Sequence, residues 1–139
     1  MLPYDQNNSY HPYDLWEHCV RTALEIPKDI ADDMLFIAAM LHDIGKTESC
    51  CAGRKEEDAK RLVYYVQFHD DHVGFKPHHL RKHYDRVPLP VFKNLMLLQM
   101  ADAITHTCEK PLIQERYTTC KTLYDEKAEE LYRWLENEK

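Results

Sequence analysis

Glycine is nearly absent from this chain, with three residues in 139. So few turn glycines, without spaced β-branched runs between them, exclude an ordinary all-β fold. No apolar run approaches the roughly 20 residues of a membrane span. The start, Met1-Leu2-Pro3-Tyr4-Asp5-Gln6, lacks the basic opening and apolar core of a signal peptide. The five cysteines (Cys19, Cys50, Cys51, Cys108 and Cys120) are odd in number, two are adjacent, and no C-x-x-C pair occurs. Reduced thiols in a cytoplasmic protein suit that pattern better than a disulfide framework. An excess of basic charge is also missing: 18 Lys and Arg face 24 Asp and Glu, a net charge of −6. That balance excludes a broad nucleic-acid surface and leaves room only for a local basic patch. Internal repeats and low-complexity tracts are absent too.

What remains is helix-rich material, 44% hydrophobic and 30% charged, in a length that suits one domain over residues 1–139. Residues 1–10 read as an irregular polar arm. His11-Pro12-Tyr13-Asp14 opens a first helix with proline near its first turn. On it Trp16, Cys19, Val20, Ala23 and Leu24 form an amphipathic stripe, with His18 on its flank. Pro27 ends that helix, and Asp29 or Asp32 caps the next. Met34 to Leu41 are eight apolar residues without a polar break, a helix expected to be buried on every side. Thr47 to Asp58 read as mostly loop. A helix is predicted over Glu56 to Phe68, with Ala59, Leu62, Val63 and Val66 buried. Periodicity leaves a strand over residues 62–66 open as the alternative. On the helical reading His69 and Asp70 extend the buried stripe. A loop or broken helix over residues 71–87 carries a basic run from Lys76 to Arg86. Pro88-Leu89-Pro90 then introduces a helix over about residues 91–107, and Pro111 a long last one.

The most informative stretch is Leu41-His42-Asp43-Ile44-Gly45-Lys46. It sets an imidazole beside a carboxylate at the end of the apolar helix, followed by Gly45 as a helix stop. Burying such a pair is costly unless something compensates it, and a metal ion suits both ligand types. Two further helices supply partners. His18 lies at the edge of one apolar face, and Asp102 shares a face with Leu95 and Leu98. Two imidazoles and two carboxylates suit Mn, Fe, Co, Ni or Zn better than Mg or Ca. Singly, each residue has an ordinary reading: His18 as a hydrogen-bonded core histidine, Asp102 as a cap or ion-pair partner. The adjacent His42-Asp43 pair is what points beyond those readings.

The ordered set His18, His42-Asp43 and Asp102 resembles the HD-domain superfamily of metal-dependent phosphohydrolases. It is most similar to the HD domain of bacterial CCA-adding tRNA nucleotidyltransferases. His11-Pro12-Tyr13-Asp14 before Trp16-Glu17-His18 resembles that subfamily's entry into its first helix. Val66-Gln67-Phe68-His69-Asp70 and Leu97-Leu98-Gln99-Met100-Ala101-Asp102-Ala103 resemble two of its later segments. The similarity spans roughly Asn8 to Tyr124. It implies an all-α fold, a compact helical bundle of about five to six helices. It implies one divalent metal held by His18, His42, Asp43 and Asp102, and phosphate-ester hydrolysis by a metal-activated water. His69 matches a position that in some members adds a ligand or contacts phosphate. Lys46 offsets substrate charge on this reading, or is a solvated lysine at a helix C-terminus. From adjacency alone, Asp70 orients His69 or accepts a proton.

The implied substrate is a small phosphorylated molecule, a nucleotide or an RNA terminus. The basic run either steers it or is a solvated loop. Two departures from the family pattern stand out. A glutamate found in nucleotide-processing relatives is replaced by Lys46, and the segment Thr47 to Lys60 lacks the usual Gly-His element. Both favour an alternative, a binding module that keeps its metal and has lost turnover. With no nucleotidyltransferase domain ahead of these residues, CCA addition is not expected. A third reading makes the polar pairs purely structural. His106 with Cys108 lacks a partner pair at zinc-ribbon spacing, and nothing near Cys50-Cys51 clearly lowers a thiol pKa.

Overall fold

The computed structural model describes residues 12–43, 53–105 and 111–138. The chain is all-α: six helices and no strand occur among the described residues. The arm at residues 1–10, Gly45, Lys46, the vicinal cysteines, His106 and Cys108 lie outside them. Among the described residues no helix is long and apolar enough to cross a membrane.

Helix α1 is Pro12–Glu25 and α2 is Asp33–Leu41. Proline at the first position of α1 costs no intrahelical hydrogen bond. Pro27 disfavours helical backbone just before itself, and α1 stops at Glu25. Asp32, not Asp29, caps α2: its backbone is extended and its carboxylate accepts from the Met34 N–H at 3.0 Å. Helix α3 is Glu56–Phe68, which decides between helix and strand for residues 62–66. Glu56, Glu57 and Asp58 in its first turn complement the helix dipole. Asp32 also receives Arg61 Nε at 3.0 Å and the Tyr65 hydroxyl at 2.6 Å, tying α3 to the start of α2.

Helix α4 is Pro77–Tyr84 and α5 is Leu89–Ile104. Both begin with proline in the first turn, and α4 ends in Arg81, Lys82 and His83, which suit its negative end. The last helix, α6, covers residues 111–137, with regular stretches Pro111–Thr122 and Ala128–Asn137 on either side of a π turn, Leu123–Lys127. One extra residue there shifts the register, so Leu123 and Ala128, five apart, are both fully buried. Two compact units result, Met1–Gln67 and Phe68–Lys139. In the first, α1 packs on α2; in the second, α5 packs along α6 and α4 against its C-terminal part.

Three burial expectations are corrected. The buried arc of α1 is His18, Cys19, Thr22 and Ala23, continued by Ile26 just past the helix end, while Trp16 and Leu24 are 51% and 59% exposed. That arc carries small side chains that allow close approach, and the Thr22 hydroxyl is satisfied by the His18 carbonyl at 2.9 Å. His18 stands at the edge of this buried arc, as expected, and is itself only 6% exposed. Helix α2 buries Met34, Leu35, Ala38 and Ala39, yet leaves Phe36 exposed, since an apolar residue is not obliged to be inside. Helix α3 buries Leu62, Tyr64 and Tyr65 and turns Val63 outward, so the larger aromatic area goes inside.

Candidate metal centre

His18 projects from the middle of α1, on the side that is buried, and is 6% exposed. His42 caps the C-terminus of α2 and Asp43 follows it. The His42 ring is held by its own helix end: Nδ1 lies 2.7 Å from the Ala39 carbonyl. A carbonyl only accepts, so Nδ1 carries the proton and Nε2 of the neutral ring presents its lone pair. Holding one ring nitrogen on a backbone carbonyl while the other faces a cation is the usual way a ligating histidine is oriented.

Three atoms of ligating type then converge. His42 Nε2 is 3.4 Å from His18 Nε2 and 3.1 Å from Asp43 Oδ2, and His18 Nε2 is 3.6 Å from the same oxygen. The two rings meet edge to face, 5.3 Å between centroids. Lone pairs and a carboxylate at such distances repel one another unless a proton or a metal ion lies among them. Two imidazole nitrogens bonded at 2.0–2.1 Å to one tetrahedral ion are roughly 3.4 Å apart, which is the separation of these two nitrogens. Asp43 is the open side of this cluster, its side chain 35% exposed while those of the histidines are almost wholly buried. The cluster can hold a metal ion.

Asp102 is also buried, at 5% exposure, among the apolar residues of α5, as its shared face with Leu95 and Leu98 predicts. Within its own unit its Oδ2 lies 3.7 Å from Arg116 Nη1. His69 and Asp70 lie in the turn after α3 instead of extending its buried stripe, because the helix ends at Phe68. Asp70 is 73% exposed, 3.9 Å from His72 Nε2 and 3.5 Å from Arg116 Nη1. The His69 backbone carbonyl accepts from Arg116 Nη2 at 2.7 Å. Lys46 lies outside the described residues.

No family model, no curated protein and no solved structure matches the chain.

Two residues near Asp102 escape a reading of the sequence. Gln99, fully buried one turn before Asp102, donates from its amide to the carbonyls of Phe68 at 3.0 Å and Asp71 at 2.8 Å. Its Oε1 accepts from the Cys120 thiol at 3.3 Å, and burial raises that thiol to about 11, with Arg116 opposing the shift. Gln99 was accessible in principle, as a polar residue three before Asp102 on a face of leucines. Arg116 had no such signal, standing in a stretch with little amphipathic pattern.

Proposed function

We propose that this protein is a metal-dependent phosphohydrolase acting on phosphate esters of nucleotides or RNA ends. The observation that carries the proposal is the convergence of two histidine Nε2 atoms and one aspartate oxygen, with His42 fixed in the ligating tautomer by the Ala39 carbonyl. On this reading His18, His42 and Asp43 hold one divalent ion and Asp102 completes the ligand set, as the order of these residues along the chain suggests. Mixed nitrogen and oxygen donors favour Mn, Fe, Co, Ni or Zn over Mg. When bound, such an ion acts as a Lewis acid toward a phosphoryl oxygen and acidifies water.

The protein's own groups have separate tasks. His42 and His18 are neutral donors that leave the ion most of its charge. Asp43, on the open side, is the carboxylate placed to take a proton from the attacking water. Lys46, three residues on, offsets charge on the phosphoryl oxygens, with His69 as a second donor. Asp70 either orients His69 or accepts a proton. A second reading is a binding module that retains the metal and has lost turnover, and it is favoured by Lys46 in place of a glutamate and by the absence of histidine from Thr47 to Lys60.

Metal analysis of protein purified without added metal should find about one transition-metal ion per chain, and Asp43→Ala and Asp102→Ala should each lower that content. Linear and cyclic nucleotides, assayed with Mn, Co and Ni, should be hydrolysed by the natural protein and not by Asp43→Ala. Metal without turnover selects the binding module. A protein devoid of metal, or an Asp102→Ala variant with full metal content, removes the assigned ligand set.

A further inference from the structure

Arg116 is an unusual arginine. Its side chain is 14% exposed, and its guanidinium is permanently charged, with five N–H donors. Nη2 makes one hydrogen bond, to the His69 carbonyl at 2.7 Å. Nη1 stands 3.5 Å from Asp70 Oδ1 and 3.7 Å from Asp102 Oδ2, too far for good hydrogen bonds. Nε is buried and has no partner. Most of this fork is therefore unspent in a place where polar groups ordinarily find partners. Two loosely placed carboxylates balance its charge without using its donors.

The same residue lines a cavity of about 380 Å³ inside the C-terminal unit. That volume lies in the range of small-molecule sites. Besides Arg116, the wall includes Gln99, Leu112, Glu115, Thr119 and Cys120. Gln99 is occupied with backbone carbonyls, and Cys120 remains a protonated thiol at neutral pH, so neither competes for the arginine. Glu115 is the one carboxylate side chain in the lining and is exposed, where water screens it. An arginine with unused planar donors beside a cavity of this size is suited to a tetrahedral or planar anion.

We propose that this cavity seats the phosphate of a small phosphomonoester and that Arg116 is the residue that holds it. The inference deepens the phosphohydrolase reading and rests on it for the choice of phosphate over carboxylate. It also gives the Arg116–Asp102 proximity a use, since one side chain faces both the bound anion and a proposed metal ligand.

Inorganic phosphate, titrated calorimetrically into the full chain both as purified and after chelator treatment, tests this. Phosphate should bind in both states, at least tenfold more weakly to Arg116→Gln. Thr119→Phe, which fills the cavity and leaves the arginine in place, should weaken it equally, with circular dichroism confirming that both variants are folded. Acetate should compete poorly. Absence of phosphate binding, or equal affinity in folded Arg116→Gln, overturns the proposal. Binding that disappears with the metal and ignores Arg116 overturns it too, while leaving the metal centre intact. Arg116-dependent binding in a protein that holds no metal as purified upholds the cavity and removes the hydrolase.

Discussion

His42 shows how much one side chain can decide. Its Nδ1–H is committed to the Ala39 carbonyl by the geometry of a helix C-terminus, so its reactive nitrogen is assigned by local backbone and not by a distant partner. His83 has the opposite fate. It is fully buried between Phe68 and Phe92, each ring centroid 5.1 Å from its own, and its Nε2 meets Asp71 Oδ2 at 3.0 Å. Burial lowers its pKa below the ordinary 6.5, and the neighbouring Asp71 recovers only part of that loss. Burial alone would raise the Asp71 carboxyl, but hydrogen bonds from Lys82 and His83 outweigh it and hold the pKa below 3.8. Below pH 6.5 the unfolded chain takes up a proton that folded His83 refuses, so this residue's stabilisation is complete above that pH and erodes beneath it. Asp71 adds a second loss as pH falls through the carboxylate range. The urea midpoint should thus drop between pH 7.5 and 5.5, and His83→Gln should flatten that drop. An unchanged slope in the variant would count against this account.

At the scale of elements, Asp32 is the clearest joint. One carboxylate caps α2 through the Met34 N–H and receives both Arg61 and Tyr65 of α3, with only 9% of its side chain exposed. Asp32→Ala removes a cap and takes the shared carboxylate away from Arg61 and from the buried Tyr65 hydroxyl, while Arg61 keeps Asp58, for an expected loss of about 2 kcal/mol. Asp32→Asn, which can still cap, should lose less. Chemical denaturation of the two variants checks the order, and equal losses would assign the effect to charge alone. Sequence periodicity located these helices well and their faces less well. Of the stripe Trp16, Cys19, Val20, Ala23 and Leu24, Cys19 and Ala23 are buried, but the packed face turns toward Thr22 and leaves Trp16 and Leu24 outside. Spacing does not report which of two adjacent arcs allows closer approach, and a satisfied threonine is invisible to a hydrophobic pattern. The π turn at Leu123–Lys127 is equally hidden, because it answers a register mismatch between two buried stretches of α6.

For the molecule as a whole, the proposed metal site predicts a linkage between ligand and stability. A metal ion that binds only the folded chain stabilises it by about 2.7 kcal/mol at a free concentration 100 times its dissociation constant. The melting temperature should rise with Mn or Zn and fall with chelator, and Asp43→Ala should abolish both responses. A melting temperature indifferent to metal and chelator alike would leave the cluster a hydrogen-bonded histidine pair. The residues of that cluster were legible beforehand because His42-Asp43 is a local anomaly, a charged pair closing an apolar run. Several helix ends were legible for the same reason, since Pro27, Asp32 and Pro88 act within a turn of their own positions, whereas the helix Pro77–Tyr84 falls in a stretch that reads as a loop or broken helix. By itself, then, the sequence determined the all-α class, the breaks between helices and the few places where polar groups interrupt apolar faces. Only the tertiary structure decided which arcs of α1 and α3 are buried, that two Nε2 atoms meet at 3.4 Å, and that Arg116 lines a cavity with donors to spare. Those outcomes depend on side chains from separate elements fitting one another in three dimensions, and a one-dimensional period carries no record of that fit.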